Sequence, residues 1–200
     1  MLNSDDEIIE APTDRETIET GIRQARGRKG LVIVNTGNGK GKSTAAFGLM
    51  TRAWGRKLKV SVIQFIKADG ANFGEQRAAA QMGIDWTSSG DGFTWTSSDM
   101  DETIALARHG WTVAQDRITS GNFHIVILDE FTYTLRYGWL ETREVLDWLK
   151  NNKPPALHLI ITGRDAPDAL IEYADLVTEM REVKHPFKEQ GIAAQPGIEY

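Results

Sequence analysis

The chain has 200 residues, 40% of them hydrophobic and 26% charged, which suits one globular α/β domain with a real core and leaves too little for two. A formal net charge of −5 and a pI near 5.4 argue against a non-specific nucleic-acid binder, which needs a strongly basic face. With no cysteine there is no disulfide framework or thiolate metal site, and no stretch approaches the ~20 apolar residues of a membrane helix.

The first residues, MLNSDDEIIEAPTDRE, are acidic and lack an apolar run, so they are not read as a secretory signal, and a cytoplasmic protein is expected. Residues 1–28 are expected to form an amino-terminal arm, polar and mobile to residue 13, then helical from Asp14 to Arg28 with a basic end. One α/β domain is expected over residues 29–200. It opens with LVIVN (Leu31–Asn35), a short continuous apolar run of the kind buried on both faces of a sheet. TGNGKGK follows, then a helix from Ser43. VSVIQFI (Val60–Ile66) is a second buried strand. Gly, Asn, Ser and charges fill Lys67–Asp91 around a helical piece near Glu75–Met82. Ile104, Ala107, Trp111, Ala114 and Ile118 fall at helical spacing, which predicts a helix over Asp99–Ser120. HIVILDE (His124–Glu130) is a third strand, ending in two carboxylates. A short amphipathic helix over Glu141–Asn151 is stopped by Pro154 and Pro155. LHLIIT (Leu157–Thr162) is a fourth strand, GRDAP leads into a helix to about Tyr173, and Leu176–Val183 alternates like a further strand. The rest is punctuated by Gly and Pro and is expected to be irregular.

Strands alternating with helices predict a P-loop NTPase-like (RecA-like) α/β fold, a mostly parallel sheet with helices on both faces. Ligands in such sheets bind beyond the carboxyl ends of the strands, where the Gly-rich loop, the Asp-Glu pair and the TGR loop all fall. The strongest motif is Thr36-Gly37-Asn38-Gly39-Lys40-Gly41-Lys42-Ser43-Thr44, set between a strand and a helix. Glycines let the backbone curl so that several N–H groups face one anion, and the helix adds free N–H groups and the positive end of its dipole. Lys42 supplies a cation, and Ser43 a hydroxyl for a hard ion such as Mg²⁺. The pattern GxxxxGK[ST] asks for glycine where this chain has Thr36; with the glycine at Gly37, the loop is one residue shorter. The competing reading is a flexible Gly/Lys turn. Asp129 and Glu130 are candidates to hold Mg²⁺ with Ser43, the alternative being an acidic pair that caps backbone donors.

GNGKGKST with AAFG, QFIK (Gln64–Lys67), GFTW (Gly92–Trp95), VILDEFTY (Val126–Tyr133), ITGR (Ile161–Arg164), EVKHPF (Glu182–Phe187) and GIEY (Gly197–Tyr200) occur in that order. Together, from about Gly30 to Tyr200, they resemble the P-loop type of ATP:cob(I)alamin adenosyltransferase. That resemblance implies that cobalt(I) of a corrinoid attacks the 5′ carbon of ATP and inorganic triphosphate leaves. It implies ATP reversed in the loop relative to ordinary P-loop ATPases, which the short loop fits. Residue by residue, it implies that Gly37, Asn38, Gly39, Lys40, Gly41, Lys42, Ser43 and Thr44 hold the triphosphate. Glu130 and Asp129 sit by Mg²⁺, Arg164 contacts the nucleotide, and Phe93 and Trp95 line the corrinoid side and press away the lower axial ligand. It also implies a homodimer and an electron-donor reductase or flavoprotein partner.

Such chemistry needs no protein nucleophile, and the chain offers no convincing Ser-His-Asp set or activated lysine; the protein supplies alignment and stabilises the leaving group. Spacing alone favours core packing for Phe93 and Trp95; the resemblance reverses this. His109, His124, His158 and His185 show no metal-ligand spacing, and Trp54, Trp86, Trp111, Trp139 and Trp148 are read as core or interface bulk. Two other classes compete: a P-loop kinase or ATPase that cleaves at the γ-phosphate, and a RecA-like nucleic-acid motor or ATP-binding regulatory module.

Overall fold

The computed structural model describes residues 29–66, 73–90 and 100–199. The expected helix over Asp14–Arg28 lies outside them, as do Phe93 and Trp95. In chain order the elements are β1 (Val32–Thr36), α1 (Lys42–Gly55), β2 (Val60–Phe65), α2 (Gly74–Gln81), β3 (Asp85–Ser89), α3 (Met100–Thr119), β4 (Ile125–Asp129), α4 (Thr132–Arg136), α5 (Thr142–Asn152), β5 (His158–Thr162), α6 (Asp168–Tyr173), β6 (Leu176–Glu179) and α7 (Pro186–Gln190). The strands form one sheet in the order β3-β2-β4-β5-β1-β6, and every neighbouring pair is parallel. Among the described residues no helix is long and apolar enough to cross a membrane.

The continuous apolar runs are explained by burial on both sheet faces. Ala46, Met50 and Ala53 of α1 and Ala79 of α2 pack on Val60, Val62, Ile125, Ile127 and Ile160. On the other face, Trp111, Ala114 and Ile118 of α3, Val145, Leu146 and Leu149 of α5 and Leu170 of α6 cover Ile63, Phe65, Val126, Leu128, Leu159 and Ile161. Apolar residues of β1, β2, β4 and β5 thus feed opposite layers, and the polar Ser61, Gln64, Asp129 and Thr162 of these strands are buried with hydrogen-bond partners.

The structure adds three elements that the sequence pattern did not signal. β3, DWTSS, is polar, and backbone pairing with β2 makes it a strand, aided by polar links on its outer side. Ser61 Oγ donates to Asp85 at 2.6 Å, and Arg117 Nε of α3 donates to the same carboxylate at 2.8 Å. α4 is a short helix that starts one residue past the acidic pair, and at the start of α7 Glu189 reaches back to accept from the N–H of His185 at 2.9 Å. β6 stops at Glu179, short of the expected Val183, because the chain turns there to lie across the loop after β1. His124 and His158 serve the backbone: their Nδ1 atoms accept from Lys59 N–H at 3.0 Å and Leu31 N–H at 3.1 Å.

Phe131 links this core to the residues before it. Its ring is fully buried, 5.0 Å from Phe65 and 5.5 Å from Trp111, centroid to centroid. It therefore anchors the chain just past Glu130. Phe131→Ala is expected to cost about 3–5 kcal/mol, the range for truncating a buried aromatic, measured as a lowered denaturant midpoint at unchanged slope.

Candidate functional site

β4, β5 and β1 are neighbours in the sheet, so the loops after them share one edge. A cleft of about 660 Å³ opens there, lined by Gly39–Gly41 of the loop after β1, by Lys42–Thr44 at the start of α1, by Glu130 after β4 and by Arg164 after β5. That volume falls within the range of small-molecule sites.

The short phosphate loop has a structural cause. Thr36, which stands where the common pattern has glycine, is the last residue of β1 and is buried. Its hydroxyl accepts from the Ala166 N–H at 3.1 Å, and its carbonyl accepts from Met180 N–H at 2.8 Å. The strand thus runs one residue further, and the turn begins at Gly37, with φ 92°. Gly39 N–H donates back to the Met180 carbonyl at 2.6 Å, so the segment after β6 clamps the loop from below. The fit is close. A Cβ on Gly37 would lie 2.6 Å from the Met180 carbonyl oxygen, and one on Gly39 2.7 Å from it.

Gly41, at φ 106°, is the N-cap of α1 and provides no side-chain cap, and no acidic residue occupies the first turn. The first N–H groups of a helix have no intrahelical partner, so this end is free to bind an anion. Lys42 is buried, and its Nζ donates to the carbonyls of Gly37 at 2.9 Å and Gly39 at 2.7 Å. Burial holds its pKa below the ordinary lysine value; Glu130 opposes that shift, Arg164 adds to it, and Asp129 opposes it more weakly than Glu130. An incoming polyphosphate would favour the charged form of Lys42, as any close anion does.

The two carboxylates after β4 take different positions. Asp129 is fully buried and is not among the cleft-lining residues; it accepts from Gln64 Nε2 at 2.8 Å and Thr162 Oγ1 at 2.7 Å. Glu130 lines the cleft in a left-handed conformation, φ 58°. A non-glycine residue there costs on the order of 1–3 kcal/mol and persists only where its surroundings enforce it. Thr162 Oγ1 accepts from the Glu130 N–H at 2.9 Å, and Phe131 anchors the next residue. Nearby, Thr132 Oγ1 donates to the Arg164 carbonyl at 2.6 Å. Gly163 leaves room for this, since a Cβ there would meet Thr132 Oγ1 at 2.1 Å.

The structure therefore gathers Gly39, Lys40, Gly41, Lys42, Ser43, Thr44, Glu130 and Arg164 around one cleft, with Gly37 beneath it. Asn38 lines a second cavity of about 450 Å³, together with Arg164, Arg181, Lys188, Glu179 and Glu182. Several lining residues were not singled out from sequence. Phe47 and Thr51 follow Ser43 at intervals of four on α1, so helical periodicity carried that signal. Tyr133 lies three residues past Glu130 on α4; burial, then Glu130, push its phenol pKa up. Glu75 comes from a distant part of the chain with no local signal, and Gly197–Glu199 belong to the GIEY motif of the family resemblance, to which no site role was attached.

The residues present fit Mg²⁺. Ser43 and Glu130 offer oxygen donors in the same cleft, the chemistry this ion prefers. Among the described residues no group of three His, Asp or Glu forms a metal cage, so an ion here would be shared with ligand oxygens. Thr162→Val would orphan the Glu130 N–H and remove a donor from buried Asp129. A loss of about 1–3 kcal/mol in unfolding free energy is expected, from the cost of leaving a buried polar group unmade, with nucleotide affinity falling as Glu130 loses its mooring.

Comparison with known proteins gives a consistent picture. Residues 28–200 match the family described as ATP:corrinoid adenosyltransferase BtuR/CobO/CobP. A corrinoid adenosyltransferase of Sinorhizobium sp is 38% identical, covering 96% of this chain and 96% of its own length. Those of Pseudomonas aeruginosa and Escherichia coli K12 are each 40% identical over 93% of this chain, covering 91% and 93% of their own lengths. Sequence motifs, sheet and cleft agree with these matches, and the chain belongs to the ATP:corrinoid adenosyltransferase family.

Proposed function

We propose that the protein transfers the 5′-deoxyadenosyl group of ATP to the cobalt(I) of a corrinoid and releases triphosphate. The observation that carries this reading is the short glycine loop, which meets Glu130 and Arg164 in one cleft whose described lining contains no histidine or cysteine. Such a site is equipped to grip a polyphosphate and accept its charge, and it needs no protein nucleophile. The electron pair on cobalt forms the Co–C bond as the bond from C5′ to the triphosphate oxygen breaks, and that oxygen takes the bonding pair.

Each residue has a physical task in this scheme. The loop amides and the open start of α1 hold the leaving group, and Lys42 and Lys40 offset its charge. Ser43 and Glu130 would hold Mg²⁺, which supplies further charge neutralisation on the triphosphate when bound. Asp129 acts as a positioning residue, since its oxygens are engaged by Gln64 and Thr162. Arg164, exposed at the cleft wall, contacts the nucleotide. Phe93 and Trp95, assigned from the family motif, line the corrinoid side and displace its lower ligand, which eases reduction of cobalt(II) because axial ligation tunes the potential. A separate reductase or flavoprotein supplies that electron, and the enzyme works as a cytoplasmic homodimer.

The deciding experiment is product analysis with ATP, Mg²⁺ and pre-reduced corrinoid. Triphosphate and a light-sensitive carbon–cobalt product are expected; ADP and phosphate alone would overturn the reading in favour of γ-phosphate cleavage. Lys42→Ala is expected to weaken ATP binding at least tenfold, since hydrogen bonds to charged groups contribute about 1.5–3 kcal/mol each, and calorimetric titration reads this directly. Trp95→Ala and Phe93→Ala are expected to slow turnover from cobalt(II) more than from pre-reduced cobalt(I). Equal losses in the two assays would remove them from the reduction step.

A further inference from the structure

One wall of the cleft is built by Gly197, Ile198 and Glu199, a turn whose backbone bonds are internal: the N–H groups of Ile198 and Glu199 donate to the Gln195 carbonyl at 3.2 and 3.0 Å. Ile198 is 81% exposed, so burial of its side chain does not hold the turn in place. Its polar link to the phosphate loop is the ion pair between Lys40 Nζ and Glu199 Oε2, at 2.5 Å and 159 positions apart in sequence. Lys40 sits between two cleft-lining glycines, beside the uncapped start of α1. The Glu199 carboxylate therefore lies in the electropositive field that draws phosphate.

We propose that Glu199 stands in for polyphosphate in the nucleotide-free enzyme, competes with it for Lys40, and thereby sets how tightly triphosphate is held and how fast it leaves. Two anions close to one ammonium repel each other, and a polyphosphate carries more charge than a carboxylate. Binding thus displaces Glu199 from Lys40. After transfer, the carboxylate's return to Lys40 favours release of the product. Glu199 is a positioning residue in this account, since it acts through Lys40.

The inference rests on the phosphate loop holding polyphosphate. Its test uses magnesium triphosphate without corrinoid, so it is decided separately from the cobalt chemistry. Glu199→Gln keeps the shape and removes the charge. Calorimetry is expected to show triphosphate binding about two- to fivefold tighter, the scale an exposed ion pair permits. In turnover, the KM for ATP and kcat are expected to fall together as product release slows. The gain should be retained in a Lys40→Arg background and at least halved in a Lys40→Gln background. Unchanged or weaker triphosphate binding in Glu199→Gln would overturn the proposal. So would an equal gain with and without a cation at position 40, which would mark a general field effect instead of competition for Lys40.

Discussion

The hydroxyl of Thr162 is the joint on which the site depends. It donates to Asp129 and accepts from the Glu130 N–H, so one oxygen ties the end of β5 to the end of β4. At the carboxyl edge of a parallel sheet the strand ladder runs out, and the last backbone groups need partners. This chain meets that need with side chains: Thr162 on one side, and Thr36, which accepts from Ala166, on the other. The same bonds that finish the sheet therefore fix the loops carrying Glu130, Arg164 and the glycine turn.

Charge follows from this geometry. Lys42 is pulled into the loop by the carbonyls of Gly37 and Gly39, away from bulk water, which holds its pKa down. Glu130 and Asp129 act on it from the end of β4, Glu130 more strongly. The cleft thus keeps Lys42 close to carbonyl oxygens and within the field of a carboxylate. The Lys40–Glu199 pair repeats that pattern at the outer wall. A binding site organised this way avoids bare buried charge, which is costly in a low dielectric.

Much of the fold was legible because its signals are local. The strands β1, β2, β4 and β5 announced themselves as apolar runs with core on both faces, and the spacing of Trp111, Ala114 and Ile118 placed α3. The glycine loop was legible because only glycine tolerates the turn at Gly37. β3 was not, since DWTSS has neither an apolar run nor alternation and owes its conformation to pairing with β2. Asp129 and Glu130 looked equivalent in sequence; a left-handed turn at Glu130 separates them into a buried carboxylate and a cleft-lining one.

The sequence by itself determined the fold class, the phosphate loop and its shortening, and the family, because each is written in contiguous residues whose conformational or chemical demands are local. Tertiary structure alone decided which residues share the cleft. Strand order sets β5 between β4 and β1, and the reach of a distant turn brings Glu199 to Lys40. Such meetings depend on how far-separated segments pack, and nothing local to either motif states that Lys40 and Glu199, 159 positions apart, will pair.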